Sequence, residues 1–240
     1  MIKTALISVS DKSGLDLLAK ELIANKVTIV SSGGTFKYLK SIGCKVQEVS
    51  DYTGHPEMMN GRVKTLHPKI HAGILANRDV HLEELESMGY PPIDLVVVNL
   101  YPFINTVQGG ATFEEAIENI DIGGPTMIRA AAKNFKDVVV LSDPSQYEDF
   151  LLKLKNNSVD LDFRKLCAAR VFENMAQYDG AISNYLNSSS DVQLLNSDGL
   201  SPATKLRYGE NPHQFSGYYS KNLTTNLMQI QGKQLSYNNY

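Results

Sequence analysis

The sequence predicts an α/β protein whose core is a doubly wound, mostly parallel β-sheet with flanking helices. Short apolar or β-branched runs alternate with helical patterns over the first 145 residues. One run, residues 93–98, is apolar at almost every position, which is typical of a central parallel strand covered on both faces. Ser/Gly-rich segments follow two of the runs, as in sheets that bind ligands beyond the carboxyl ends of their strands.

The elements of the front part follow from hydrophobic periodicity. Two glycines matter at the boundaries: Gly14 opens a helical pattern, and Gly43 is the kind of residue that ends one. In order, the pattern predicts strands at 4–9, 27–30, 45–49, 93–98 and 135–141, with helices at 14–25 and from Phe36 to Ile42.

The pattern changes after Pro144. Residues 147–154 and 162–186 have helical spacing, and a Ser/Asn/Asp-rich stretch at 187–202 is typical of a linker or long surface loop. Residues 205–240 are rich in Gly, Asn and Tyr, with too few apolar side chains for a core. We therefore expect a main domain over 1–187, with its α/β core at about 1–145, a linker over 188–204, and a truncated start of a second domain over 205–240.

Composition excludes several classes of protein. The 240 residues are 42% hydrophobic and 20% charged, as in a soluble globular chain, and the net charge of −3 does not favour a DNA-binding surface. Cys44 and Cys167 are too far apart in sequence for a zinc motif or a disulfide framework. No apolar stretch approaches the ~20 residues that cross a bilayer, and no signal peptide is evident. The expectation is a cytoplasmic protein without a nucleic-acid or membrane partner.

Two short loops, SVSDKSG at 8–14 and SSGGT at 31–35, each lie between a strand and a helix. Free N–H groups at a helix start attract phosphate, and paired glycines such as Gly33 and Gly34 allow a close backbone approach. Alone, the first loop is better explained by helix capping through Ser10 or Asp11, and the second is a weak signal that matches neither the Walker nor the dinucleotide spacing. Together, at the ends of consecutive strands, they favour a phosphate site with Lys12 as an added charge.

Three further segments carry polar groups suited to chemistry. The stretch 61–73 is basic and bounded by glycines; a solvated charged face is the alternative interpretation. Its His67 and His71 lack the glutamate of a zinc-protease motif, so we expect no metal there. Tyr101 follows the central strand, where a ligand or simple packing would explain it. Asp121 precedes a predicted helix start, as a cap or an active group, and Lys133 lies further along that helix.

The motifs taken together resemble a known family. The strings SVSDKSG, SSGGT, GRVKTLHPKIHAGIL, NLYPF, IDIGG and RAAAKN occur in this order. They are similar to those of the bifunctional purine-biosynthesis proteins that combine AICAR transformylase with IMP cyclohydrolase. LRYGENPHQ and GKQLSYNN, near the end of the chain, resemble the start of the transformylase half.

The resemblance implies a methylglyoxal-synthase-like fold and a reaction, the ring closure of formylated AICAR (FAICAR) to IMP with loss of water. It places Lys64, Tyr101, Asp121 and Lys133 on catalytic positions. Asp121 would accept the amide proton, the two lysines would supply protons and charge, and Tyr101 would orient the reacting group. The resemblance further implies a nucleotide site formed by Ser10, Asp11, Lys12, Ser32, Gly33, Gly34, Thr35, Arg62, Val63, Lys64, Thr65, Val98, Asn99, Asp121, Ile122 and Gly123.

The same resemblance implies the partners. FAICAR and IMP are the expected small molecules, a homodimer is the expected assembly, and ring closure is expected to need no metal or redox cofactor. Formyl-tetrahydrofolate would serve only the transformylase half. Arg207, Tyr208 and Asn239 match nucleotide-contacting positions of that half but form an incomplete site here, so no formyl transfer is expected.

Two other functions fit part of the pattern. A regulatory module that binds a phosphate-containing ligand needs the two loops but not the four catalytic candidates together. Methylglyoxal synthase has a related fold, but the IDIGG and RAAAKN strings do not fit it. The joint presence of the four candidates favours the cyclohydrolase.

Overall fold

A computed structural model describes residues 2–187, 201–213, 216–220 and 229–239. The chain divides into two compact units, one extending to Met175 and one beginning at Ala176. None of the helices in these described ranges is long and apolar enough to cross a membrane.

A five-stranded sheet forms the centre of the first unit. Its strands are β1 (Thr4–Val9), β2 (Thr28–Ser31), β3 (Val46–Glu48), β4 (Leu95–Asn99) and β5 (Val139–Leu141). The strand order is β3-β2-β1-β4-β5, and each neighbouring pair is parallel. The chain therefore builds outward from β1 to one edge and then returns to the other side of β1 with β4. This confirms the predicted α/β sheet and puts its topological switch point between β1 and β4.

Burial explains why the sequence pattern identifies the central strands. Leu6 and Ile7 of β1 and Val96 and Val97 of β4 are fully buried, and Ile7 pairs with Val97 in the register. Each such side chain contributes about 1.5–3 kcal/mol to folding when it is fully removed from water. Helices on both faces supply that cover, as the unbroken apolar run predicts.

The helices begin and end close to the predicted bounds where their apolar faces are long. They are α1 (Leu15–Ala24), α2 (Gly33–Ser41), α3 (Val49–Thr53), α4 (Pro68–Leu75), α5 (Leu82–Ser87), α6 (Phe103–Gln108), α7 (Phe113–Glu118), α8 (Gly123–Lys133), α9 (Tyr147–Lys155) and α10 (Leu161–Asn187). The start of α2 differs from the prediction: the helix begins at Gly33, not Phe36, so the two glycines form its first turn. The short α3, α5, α6 and α7 were not predicted, because five or six residues give too little periodicity. The helix α4 was not predicted either, because Pro68 argued against a continuous helix there; the proline instead occupies the first turn, where it is tolerated.

The second unit contains an antiparallel pair, β6 (Ser201–Lys205) and β7 (Gly217–Ser220). The Leu206 N–H continues the pairing by donating to the Ser216 carbonyl oxygen at 2.9 Å. Residues 188–200 of the expected linker lie outside the described residues, and its last four residues form most of β6. A 3-10 turn at Tyr237–Asn239 follows further along the chain.

Candidate active site

A cleft of about 630 Å³ opens at the carboxyl ends of β1 and β4. This is the switch point of the sheet, where ligands bind in open α/β folds. The cleft gathers most of the predicted site residues from separate parts of the chain: Ser10, Lys12, Ser32, Gly33, Gly34, Thr35, Arg62, Lys64, Thr65, Val98, Asn99, Tyr101, Asp121, Ile122 and Gly123.

One corner of the cleft combines a helix start with a lysine. Gly33, the first residue of α2, has φ +54°, and a Cβ there would lie 3.3 Å from the Lys64 Nζ. Gly61, at φ +88°, leaves room for the lysine stem, since a Cβ there would be 2.7 Å from Lys64 Cε. The positive end of α2 and the ammonium group therefore face the same space, and both favour an anion there.

A tight turn presents the basic residues to the cleft. Met58 and Val63 pair through their backbones, with N···O distances of 3.0 and 3.3 Å, so the intervening chain folds back on itself. Val63 was predicted as a site residue, but its role in this structure is to close the turn, and it does not line the cleft. Arg62 and Lys64, on either side of it, do line the cleft.

Both of these cations have carboxylate partners. Lys64 Nζ lies 3.3 Å from Glu57 Oε2, and Arg62 forms a hydrogen-bonded ion pair with Glu118 at the end of α7. That hydrogen bond holds the pKa of Arg62 above and the pKa of Glu118 below their usual values. An anionic ligand entering the cleft would compete with these carboxylates for the two cations.

Side chains from β4 and α2 hold the end of β1. The Asn99 Oδ1 accepts from the Ser10 N–H at 2.7 Å and the Asp11 N–H at 2.9 Å. The Thr35 hydroxyl accepts from the Val9 N–H and donates to the Val9 carbonyl, both at 2.9 Å. The loop after β1 is therefore fixed from both sides of the switch point.

Asp11 does not line the cleft, although it was predicted to bind nucleotide. Its carboxylate Oδ1 accepts from the Ser13 N–H at 2.9 Å and from the Ser13 hydroxyl at 2.6 Å. These hydrogen bonds lower the pKa of Asp11. The carboxylate thus shapes the turn before α1 and does not cap the helix, because the N-cap residue is Gly14 and no side chain bonds to the helix start.

Asp121 lies at the start of α8 with its carboxylate partly buried. Burial raises the pKa of Asp121 above its usual value, while hydrogen bonds from the backbone N–H groups of Gly124 and Tyr101 act in the opposite direction. Close packing requires glycines here: a Cβ on Gly124 would be 2.5 Å from Asp121 Oδ2, and one on Gly123 would be 2.8 Å from Thr65 Oγ1. A desolvated carboxylate of this kind is a better base than an exposed one.

The four catalytic candidates are not all together. Lys64, Tyr101 and Asp121 line the cleft, and Tyr101 is 49% exposed at its rim. Lys133 is exposed at the opposite end of α8 and does not line the cleft. Ten residues at 1.5 Å each place it about 15 Å along the helix axis from Gly123. Within one chain, the structure does not bring Lys133 to the other three.

The cleft also contains residues that the sequence analysis missed. Glu118 ends a six-residue helix and pairs across the cleft, a relationship without any local sequence signal. Apolar side chains of Ile117, Ile120 and Met127 form part of the wall next to Ile122. A wall of this kind suits a flat, partly apolar ring system, beside the polar corner that suits an anion.

The transformylase-like residues belong to the second unit. The Arg207 Nη2 donates to the Tyr208 hydroxyl at 3.1 Å, and the guanidinium carbon lies 4.8 Å from that ring's centroid. Asn239 lies in the final 3-10 turn.

Comparisons with known proteins agree with the architecture. A family model described as MGS-like domain matches residues 14–126, and one described as AICARFT/IMPCHase bienzyme matches residues 131–240. Bifunctional purine biosynthesis proteins PurH of Clostridium botulinum strains Hall and Loch Maree are 52% identical to the chain over 246 aligned positions. These alignments cover 100% of the chain and 49% of each relative, so the chain spans about half the length of the curated relatives it matches.

A solved structure shares this fold. The crystal structure of ForH superimposes with a TM-score of 0.69 at 33% sequence identity, covering 78% of this chain and 98% of ForH. Strand order, cleft position and both family models are thus consistent with the motifs found in the sequence. The chain belongs to the AICARFT/IMPCHase bienzyme family and contains an MGS-like domain.

Proposed function

We propose that this chain is an IMP cyclohydrolase, which closes the second ring of FAICAR to give IMP and water in purine biosynthesis. The observation that carries the proposal is the meeting of Lys64, Tyr101 and Asp121 in one cleft at the switch point. The three side chains come from different loops, and the cleft joins them to an anion-binding corner at the start of α2. Family membership supports purine biosynthesis as the setting.

The reaction joins two groups of one molecule. The carboxamide nitrogen attacks the formyl carbon and a C–N bond forms. The carboxamide nitrogen gives up one proton and the formamide nitrogen gives up another, as the formyl carbon forms a C=N double bond to the formamide nitrogen and its bond to oxygen breaks. The formyl oxygen gains protons and departs as water, so the balance needs no oxidant or reductant. Holding the two groups in contact supplies a large share of the rate, since a well-oriented internal attack lowers a barrier by about 7 kcal/mol or more.

The residues of the cleft divide this work. Asp121, whose pKa is raised by burial, accepts the proton from the attacking nitrogen. Lys64 stabilises the negative charge that develops on the formyl oxygen, because an ammonium group in a partly enclosed site interacts strongly with an oxyanion. Tyr101, at the rim, hydrogen-bonds and orients the reacting group.

The substrate's phosphate and ring occupy adjacent parts of the cleft. The phosphate lies at the start of α2, where the Gly33 and Gly34 backbone approaches closely and Lys12 contributes charge. The ring lies against Val98 and Ile122, which puts its reacting groups beside Asp121. FAICAR and IMP are thus the proposed ligands.

The proposal separates ring closure from formyl transfer. Arg207, Tyr208 and Asn239 match only part of a transformylase site, so this chain is proposed not to transfer a formyl group from formyl-tetrahydrofolate. A homodimer and a cytoplasmic location belong to the proposal through the family resemblance. Incubation of the purified chain with AICAR and formyl-tetrahydrofolate tests the first point: FAICAR production would contradict it.

Ring closure of FAICAR by the purified 240-residue chain tests the main proposal. The reaction is followed by ultraviolet absorbance, and IMP is confirmed by chromatography, with and without prior treatment by a chelator. We expect turnover that the chelator leaves unchanged. IMP binding without turnover would contradict the proposal and favour a regulatory nucleotide-binding module.

A further inference from the structure

We propose that Glu57, just before the tight turn at 58–63, is a positioning residue for ring closure, acting through Lys64. Its carboxylate does not line the cleft, and it belongs to none of the motifs that resemble the family. The inference rests on the proposed function in one respect, that Lys64 takes part in the reaction. Its structural half, that Glu57 holds the ammonium group of Lys64 in place, can be tested without any ligand.

The register of the turn brings the two residues together. The Met58 N–H donates to the Val63 carbonyl oxygen at 3.0 Å, and the Val63 N–H donates to the Met58 carbonyl oxygen at 3.3 Å. These two residues therefore form a hydrogen-bonded antiparallel pair. The next residues outward, Glu57 and Lys64, are directly opposite each other, in the non-hydrogen-bonded position at which side chains approach most closely. The register thus produces a cross-strand pair of opposite charges.

The side-chain distances agree with this pairing. The Glu57 Oε2 lies 3.3 Å from the Lys64 Nζ. A Cβ built on Gly61 would lie 2.7 Å from the Glu57 Oε1 and 2.9 Å from the Lys64 Nζ, so both partners of the ion pair pack over the bare α-carbon of this glycine. The turn therefore requires glycine for two reasons, the φ of +88° and the ion pair that lies against it.

The ammonium group held in this way faces the start of α2. A Cβ on Gly33 would lie 3.3 Å from the Lys64 Nζ, and Lys64 lines the cleft, whereas Glu57 does not. An ammonium group has three N–H donors, so an ion pair with one carboxylate oxygen leaves donors for a ligand in the cleft. Glu57 therefore acts on the cleft from outside it, through the position of the lysine.

A lysine needs such support in order to act at one point. Its four-carbon stem is flexible, and holding the ammonium group in one place costs rotamer entropy. The side chains of Lys64 and Glu57 are 29% and 49% exposed, so water screens the pair and it adds little to the stability of the fold. What the pair contributes is order. If the ammonium group stabilises the developing oxyanion, that order is expressed in kcat, because preorganised charge lowers the barrier.

Substitution Glu57→Gln distinguishes positioning from simple neutralisation of charge. If Glu57 only offset the charge of Lys64, its removal would strengthen the interaction of the ammonium group with an oxyanion and would raise kcat. Positioning predicts the opposite sign. We expect Glu57→Gln to lower kcat for FAICAR by roughly fivefold, the upper end of what a cross-strand pair of opposite charges contributes. An unchanged or raised kcat would overturn the positioning role.

Asp79→Asn is the matched control. Asp79 also forms an exposed ion pair, with 2.6 Å between its Oδ2 and the Lys136 Nζ, and neither residue lines the cleft. Its substitution should leave kcat within about twofold. A double-mutant cycle then tests the route through Lys64. On the residual activity of Lys64→Met, adding Glu57→Gln should cause no further loss, and additive losses would overturn that route.

The mobility of the ammonium groups tests the inference in the chain without ligand. With isotopically labelled lysine, NMR relaxation gives an order parameter for each ammonium group. Glu57→Gln should lower the order parameter of Lys64 and leave that of Lys136 unchanged, and Asp79→Asn should do the reverse. Unchanged order at Lys64 in Glu57→Gln would overturn the inference even if ring closure is demonstrated. Loss of order there, in a chain that does not convert FAICAR, would support the placement of the ammonium group by Glu57 while the proposed function fails.

Discussion

The Asp121 carboxylate accepts a hydrogen bond from the Gly124 N–H, 2.8 Å from Oδ1, in the first turn of α8. The same group lines the cleft, so it serves the helix as a cap and the cleft as a partly buried carboxylate. These two uses need different properties. A cap needs an acceptor oxygen, whereas a base needs a negative charge, and an asparagine supplies only the first.

Asp121→Asn should therefore separate chemistry from folding. We expect ring closure to fall at least about 100-fold, the usual contribution of a positioned base, with little change in melting temperature. The control is Asp143→Asn, since Asp143 also caps a helical turn, through the Ser145 N–H at 2.8 Å, but lies outside the cleft. Near wild-type turnover in Asp121→Asn would remove Asp121 from the mechanism.

The raised pKa of Asp121 sets the direction of the pH dependence. Because the ionised form is the base, activity should rise with pH through this pKa, which lies above the ordinary value of 3.8. The pH profile of kcat/KM for FAICAR measures it. An acid limb at or below 3.8, or one that survives in Asp121→Asn, would show that another group controls the rate.

The glycine at the start of α2 makes a separate prediction. Gly33→Ala introduces strain at φ +54° and places a methyl group 3.3 Å from Lys64 Nζ. Gly43→Ala is the matched control, because Gly43 has φ +77° and open space around its Cβ position. Both variants should lose about 1 kcal/mol of stability. Only Gly33→Ala should weaken IMP binding, by about tenfold in calorimetry, and equal affinities would contradict the placement of the phosphate.

The cap that His67 forms on α4 makes the stability of the fold depend on pH. Its Nδ1 accepts from the Lys69 N–H at 3.1 Å and caps α4, which an imidazolium cannot do. Burial, His55 and Lys69 lower the pKa of His67 below 6.5. The unfolded chain therefore takes up this proton first, so the stabilisation from the cap is complete above about pH 6.5 and is lost as pH falls through the lowered pKa.

Thermal unfolding between pH 7.5 and 5 measures this effect. His67→Asn retains a side-chain acceptor for the cap but does not titrate. We expect the melting temperature of the wild type to fall more steeply with acidification than that of the variant. Since His71, whose pKa is also lowered, is present in both chains, the difference between the two slopes reports His67. Parallel slopes would contradict the assignment.

The sheet and the cleft location were predictable because their signals are local. An unbroken apolar run identifies β4, and a glycine pair after a β-branched run identifies the start of α2. The pairing of Arg62 with Glu118 and the hydrogen bond from the Ser10 N–H to Asn99 Oδ1 join residues 56 and 89 positions apart in the sequence. Such contacts depend on the strand order and the loop paths, which no local pattern encodes.

Lys133 is the opposite case. Its motif identifies it as a site residue, but the structure places it away from the cleft. Its string RAAAKN resembles the family, but α8 carries the lysine about 15 Å from the helix start that lines the cleft. The small side chains of Ala130, Ala131 and Ala132 are buried, which accounts for the alanine run by packing. If Lys133 takes part in ring closure in the expected homodimer, it must reach the cleft of the neighbouring chain.

Subunit complementation tests that arrangement. Lys64→Met disables a cleft from within, and Lys133→Met would disable the cleft of the partner. We expect each variant alone to lose at least about 100-fold in ring closure. In an equal mixture allowed to exchange subunits, half of the dimers are mixed and each has one intact cleft, so about a quarter of the wild-type activity should return.

A second mixture combines Lys133→Met with Asp121→Asn. It should also complement, because the substitutions at Asp121 and Lys64 disable the cleft of the chain that carries them. The negative control mixes Lys64→Met with Asp121→Asn. No dimer in that mixture has a complete cleft, so the mixture should remain inactive. Full activity of Lys133→Met alone would remove Lys133 from the reaction. Loss without complementation would mean that Lys133 acts on the stability or shape of its own chain, through the packed turn of α8 that precedes it.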